Sequence, residues 1–245
     1  MKTAIPSTWV EAGLALIYPP VCQVCNSGRV SAEQGYVCPD CRKLVRFIEP
    51  PYCKRCGLPF EGDLTTPFEC SNCRELELHF SHARSAVAAG EVILNIIHRY
   101  KYQRALWFEP YLAELLIRQA VPELAMEKWD LIVPVPLHPT KEREREFNQA
   151  VNLAGHLAQA TGLPMNKNLV RRVVPTGTQT LLSREKRQAN VRRAFAMNNG
   201  CRFKGERIVL VDDVLTTGST TSACARVLRK AGAREVCVWT VARGL

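Results

Sequence analysis

Three things are scarce in this 245-residue sequence. The first is a long apolar run. No stretch approaches the ~18 consecutive apolar residues that cross a bilayer, which excludes a helical membrane anchor. The apolar stretch Gly13 to Ile17 follows Glu11 and is too short for a secretory core with its proper flanks. Residues 1–18 read as a short amphipathic helix, and the chain reads as cytoplasmic, where thiols stay reduced. The second shortage is acid: 23 Asp and Glu against 33 Lys and Arg leave a formal charge of +10. Such an excess points toward anionic partners, whether nucleic acid, phosphorylated metabolites or an acidic surface. It is sharpest from Arg171 to Arg207, where ten basic residues meet only Glu185 and Glu206. The third is aromatics, 7% of the chain. Phe195 and Phe203 alone fall in that basic stretch, which leaves few platforms for stacking bases.

What is present begins with cysteine. Eight of the 11 Cys form CxxC pairs: Cys22/Cys25, Cys38/Cys41, Cys53/Cys56 and Cys70/Cys73. A CxxC turn sets two thiolates on one side of a knuckle, and two knuckles complete a tetrahedral Zn²⁺ site. Four such pairs fit two structural Zn²⁺ ions better than disulfides, a redox pair or an iron–sulfur cluster. Two pairings are open. Consecutive quartets would be Cys22, Cys25, Cys38 and Cys41, then Cys53, Cys56, Cys70 and Cys73; the alternative is an interleaved cross-brace. Pro50-Pro51 between the quartets favours the consecutive arrangement. Cys201, Cys224 and Cys237 read as small apolar residues.

Residues 19–80 form this metal module, and residues 81–245 change character. Apolar runs at Ala83–Ala88, Leu131–Val133, Arg207–Val211 and Glu235–Val241 read as strands. Helical patterns fall at Gly90–Tyr100, Trp107–Gln119, Phe147–Ala158 and Thr220–Ala231. Lys141–Glu146, alternating in sign, reads as a solvated loop or helix face. Such alternation predicts an α/β fold, a parallel sheet flanked by helices, with ligands at the carboxyl ends of its strands.

The richest motif is Ile208-Val209-Leu210-Val211-Asp212-Asp213-Val214-Leu215-Thr216-Thr217-Gly218-Ser219-Thr220. Strand, acid pair, hydroxyl-rich turn and helix follow one another. The turn offers backbone N–H groups and hydroxyls around a glycine that lets an anion approach, and the helix start adds partial positive charge. The carboxylates would repel a phosphate, so they suit ribose hydroxyls or Mg²⁺ held through water. No Lys follows Gly218, so this is not a Walker loop. A plain helix cap at Ser219 or Thr220 explains one hydroxyl and neither acid.

This stretch resembles the 5-phosphoribosyl-1-pyrophosphate (PRPP) loop of type I phosphoribosyltransferases. Several further stretches resemble the ComF/GntX family: Val133-Pro134-Val135-Pro136-Leu137-His138, Phe147-Asn148-Gln149, Thr178-Gln179 through Ala194-Phe195, Ile97-His98-Arg99-Tyr100-Lys101-Tyr102, and the eight-cysteine N-terminus. The resemblance implies a type I phosphoribosyltransferase-like domain behind a double zinc ribbon, and a role in DNA uptake (competence) or in using extracellular DNA. By resemblance, Asp212 and Asp213 hold the ribose, and Thr216, Thr217, Gly218, Ser219 and Thr220 hold the 5-phosphate. Arg143 and Arg145 reach the pyrophosphate, and a lid carries Arg184, Lys186 and Arg187. Mg²⁺ would accompany PRPP in a transferase. The alternative is a single-stranded-DNA-binding protein, or an adaptor of the uptake machinery, that uses the fold without transfer chemistry. Two departures from the family pattern stand out. Glu146 occupies a position that is usually Gly, a strained choice if the backbone there is left-handed. Thr216 replaces the Asp of 6-oxopurine salvage enzymes, which argues against hypoxanthine or guanine as acceptor.

Overall fold

Strand β5 (Arg207–Leu215) is apolar on both faces, as a central parallel strand must be when helices cover both sides. Ile208, Val209, Leu210 and Val211 are all fully buried. In this computed structural model, which describes residues 20–60, 62, 68–174, 193–198 and 200–244, β5 lies inside a four-stranded sheet with order β1-β6-β5-β2. Its partners are β1 (Ala83–Ala88), β2 (Leu131–Pro134) and β6 (Glu235–Arg243). All three pairings are parallel, in accord with the expected fold class. The helix expected over residues 1–18 lies outside the described residues, as do Thr178, Arg184, Lys186 and Arg187.

Side chains of β5 and β6 alternate between two cores. Val209, Val211, Trp239 and Val241 face helices α4 (Glu109–Ala125) and α6 (Gln149–Thr161). Leu210, Val236 and Val238 face α7 (Ser219–Lys230). A short hairpin of β3 (Val170–Arg172) and β4 (Phe195–Met197) packs on the same side as α7. Helix α3 (Glu91–Tyr102) buries Ile93, Ile96, Ile97 and Tyr100 and turns its opposite face outward.

One boundary differs from the sequence reading. β5 does not stop at Val211: Asp212 and Val214 still pair with Thr240 and Ala242 of β6, so ladder bonding carries the acid pair as part of the strand. The charged run over Lys141–Glu146 takes the solvated-helix option of the sequence reading, as α5 (Pro139–Arg145). Pro139 opens α5, and the His138 ring nitrogen accepts the Thr140 amide at 3.3 Å.

The cysteine-rich segment has little regular structure beyond α1 (Pro39–Lys43) and α2 (Ser71–Glu75). Between the quartets the chain lies along the free edge of β1. The Ile48 amide donates to the Ala86 carbonyl at 3.0 Å and the Ala88 amide to the Arg46 carbonyl at 2.9 Å, which covers an otherwise unpaired edge. Among the described residues no helix is long and apolar enough to cross a membrane.

Candidate functional site

The sulfurs of each quartet gather by themselves. Cys22, Cys25, Cys38 and Cys41 form one cluster, and Cys53, Cys56, Cys70 and Cys73 another, with sulfurs within 4.8 Å of one another. The pairing is therefore consecutive. Cys22 and Cys41 lie 3.8 Å apart, Cys25 and Cys38 3.7 Å, Cys53 and Cys73 3.8 Å, and Cys56 and Cys70 3.5 Å. A tetrahedron with Zn–S bonds of about 2.3 Å has edges of about 3.8 Å. These spacings fit the ion and are far too long for S–S bonds. Amides point at the sulfurs: Cys38 N–H at Cys22 Sγ (3.3 Å) and Cys70 N–H at Cys53 Sγ (3.4 Å). The donor set fits two structural Zn²⁺ ions. Cys224 and Cys237 are fully buried, and burial pushes both thiols up.

A second centre lies at the carboxyl ends of β2 and β5. There a cleft of about 790 Å³ is lined by the turn Val135–Leu137, by Arg145, Arg172, Asp212, Asp213, Thr216 and Thr220, and by one face of α3. Asp213 is buried; its Oδ1 accepts the Val214 amide at 2.8 Å, and its Oδ2 meets the ammonium of Lys101. Asp212 Oδ1 accepts the Asp213 amide at 2.9 Å. Burial raises the Asp212 carboxyl to about 6, against the downward pull of Lys101, Arg172 and Arg145. Lys101 is held down to about 8: burial outweighs Asp212, and Arg145 adds repulsion. Two acids thus sit on a floor ringed by three cations.

Beyond the acids, Gly218 takes a left-handed conformation (φ 77°) and starts α7 with no side-chain cap. The helix start is therefore not capped by Ser219 or Thr220. The Ser219 amide turns back to Thr217 Oγ1 at 3.3 Å, and that hydroxyl meets Ser219 Oγ at 2.9 Å. Thr216 and Thr217 are exposed and Thr220 is half-buried. Thr216 and Thr220 line the cleft, whereas Ser219 borders a shallow recess with Glu77 and His79 on another side.

Arg143 is exposed on α5 and is not part of the cleft lining, to which the same helix gives Lys141 and Arg145. Arg145 stacks over the Tyr102 ring, 4.8 Å from the centroid, and donates to Gln149 Oε1 at 3.1 Å. Asn148 caps α6 by accepting the Ala150 amide at 2.9 Å, and its amide nitrogen donates to the Val135 carbonyl at 3.1 Å. Phe147-Asn148-Gln149 therefore fastens the Pro134–Pro136 turn to α6 and steers Arg145. Glu146 ends α5 with φ 67°, the left-handed geometry a glycine would adopt freely.

Among the cleft cations, Lys101, Lys141 and Arg172 escaped the sequence reading, Lys141 being counted only in a solvated charged run. Lys101 comes from a helix more than a hundred positions before Asp213. Arg172 sits in β3, counted in the sequence only within a basic stretch. The stretch Ile97 to Tyr102 was the sole signal for Lys101.

Comparison with known proteins follows the same division. Residues 13–76 match the double zinc ribbon domain family, and residues 148–245 match the phosphoribosyl transferase domain family. Competence protein F of Haemophilus influenzae is 33% identical over 226 residues, covering 91% of this chain and 96% of that protein. The chain belongs to the ComF/GntX family. The DNA utilization protein YhgH of Salmonella typhi is 30% identical over 233 residues, covering 94% of this chain and all of the relative. Competence protein ComFC of Bacillus subtilis is 26% identical and covers 84% of each chain. Family membership accounts for the union of two four-cysteine clusters with a phosphoribosyltransferase-type sheet.

Proposed function

We propose that this ComF/GntX protein binds PRPP with Mg²⁺ in the cleft at the ends of β2 and β5, and serves DNA uptake or the use of external DNA. The observation that carries the reading is the acid pair Asp212-Asp213 beside a helix start whose N-cap is Gly218, which has no side chain to cover its amides. Ribose hydroxyls need acceptors and a phosphate needs N–H donors, and the two sets stand next to one another here.

Asp212 and Asp213 accept hydrogen bonds from the ribose hydroxyls. Thr216, Thr217 and Thr220, with the amides after Gly218, hold the 5-phosphate. Lys101, Arg145 and Arg172 face the pyrophosphate and stabilise the charge that grows on it as the C1–oxygen bond breaks. Mg²⁺, carried by the pyrophosphate, supplies further charge neutralisation, and the aspartates are oxygen donors of the type it accepts through water. An acceptor would enter along α3, where Leu94, His98 and Tyr102 line the opposite wall. Its lone pair bonds to C1, pyrophosphate leaves, and the acceptor's proton passes to solvent.

A DNA-binding reading of the basic stretch finds less support among the described residues. Arg207 is bound to Glu127 and Glu235, Arg172 turns into the cleft, and Phe195 is buried. Titrating PRPP with Mg²⁺ in one arm and single-stranded DNA in the other tests the reading. Binding of DNA alone, with no PRPP competition, would overturn it.

A further inference from the structure

Arg243, the last residue of β6, is 3% exposed. A buried guanidinium is costly unless its donors are satisfied and its charge is matched. Its Nη1 donates to the carbonyls of Leu215 (3.1 Å) and Thr216 (2.7 Å), where β5 gives way to the phosphate turn. Its Nε donates to the Cys56 carbonyl at 3.1 Å, and its Nη2 to Cys56 Sγ at 3.4 Å. Cys56 belongs to the second cysteine cluster. One planar side chain therefore spans a metal-ligand position and the backbone of the turn proposed to hold the 5-phosphate.

Charge gives the contact direction. Four thiolates around Zn²⁺ leave a net charge of about −2, and Arg243 sets a buried guanidinium against it. With the metal gone, nothing holds Cys56 in place against the guanidinium, and the grip of Arg243 on the Leu215 and Thr216 carbonyls loosens with it. A second contact runs the same way. Ser222 Oγ in the first turn of α7 donates to the Glu77 carbonyl at 3.2 Å and accepts the His79 amide at 3.0 Å, just past the second quartet. The first cluster faces elsewhere: Arg42, between Cys41 and α4, binds Glu114 at 2.8 Å.

We infer that Arg243 is a positioning residue through which metal in the second cluster, and not the first, holds the phosphate turn in its binding conformation. Loss of metal from the second site then weakens anion binding, whereas loss from the first does not. The ligand assignment rests on the proposed function; the mechanical link does not.

Hydrogen–deuterium exchange on the metal-loaded full chain tests the link without any ligand. Amides of residues 215–220 should exchange about ten-fold faster in Arg243→Gln and Cys56→Ser, the size expected for losing a charged hydrogen bond. Those of 208–211 should hold, and Cys25→Ser should leave 215–220 as in wild type. Arg243→Lys, which keeps the charge without the two-carbonyl grip, should fall between. If a variant fails to fold, stepwise chelation of the wild type supplies the comparison: exchange at 215–220 should rise with loss of the second ion only. Unchanged exchange in all cases, or equal loosening from the first cluster, would overturn the inference. PRPP·Mg²⁺ affinity is read in parallel. Absence of binding by the wild type would refute the proposed ligand, while the exchange data still judge Arg243.

Discussion

Lys101 and Asp213 form an ion pair whose side chains are only 18% and 5% exposed, so it should behave as a buried pair. Removing one member of such a pair leaves an uncompensated charge and costs about 3–5 kcal/mol. Lys101→Met should therefore destabilise by about 3 kcal/mol, because among the described residues the Asp213 carboxylate keeps only the Val214 amide as a hydrogen-bond donor. In a chain of this size, 3 kcal/mol lowers the midpoint of melting by roughly 6–12 °C. Asp213→Asn should cost less, since an amide oxygen can still accept from Val214 while Lys101, the more exposed partner, finds water. The double variant should lose about 2 kcal/mol less than the sum of the singles, the coupling expected of contacting charges. Thermal and urea denaturation with metal present, followed by circular dichroism, completes the cycle. Additivity within about 0.5 kcal/mol would refute the claim that these residues act as a pair.

The other expectations are as concrete. PRPP binding should be strongest between about pH 6 and 8: below that window Asp212 is protonated and ceases to be an anionic acceptor, and above it Lys101 loses its charge. In Asp212→Asn the acid limb should shrink to the ligand's own phosphate titration, and a flat wild-type profile from pH 5 to 9 would count against both assignments. Elemental analysis of protein purified without chelator should find about two Zn²⁺ per chain, falling to about one in Cys22→Ser; iron, or freely reactive thiols in the native state, would contradict this. Glu146→Gly should stabilise by about 1 kcal/mol, because it relieves a left-handed φ and gives up only the Arg104–Glu146 pair, which is 53% and 65% exposed. A lower melting point in Glu146→Gly would show that the pair matters more than the strain.

Much of this was legible before any coordinates. The CxxC spacing announces two clusters because ligation is local: each knuckle is built within four residues, and only the partnering of knuckles needs the fold. The β5 motif is legible because strand, acids, turn and helix start are contiguous. What stayed hidden is long-range. Nothing near Lys101 in sequence says that α3 will lay its ammonium against Asp213, and an arginine at a strand's end carries no mark of the cysteine it will touch. The extent of β5 was misjudged because Asp is a poor strand residue by propensity, and pairing with β6 overrode that preference. Arg143 was grouped with Arg145 by proximity, yet two positions along a short helix point to different sides.

The central claim, that the Asp212-Asp213 strand end and the Gly218 turn form a PRPP site, meets its most direct test in calorimetric titration of PRPP with Mg²⁺. The arms are metal-loaded wild type, Asp213→Asn and Gly218→Val. A Cβ at Gly218 would meet Phe80 at 3.5 Å, which is ordinary contact, so the valine acts mainly through its unfavourable left-handed backbone and by crowding the anion's approach. The account predicts saturable binding by wild type, with affinity falling about ten-fold or more in each variant. Binding of equal strength in all three, or none in wild type, would contradict it.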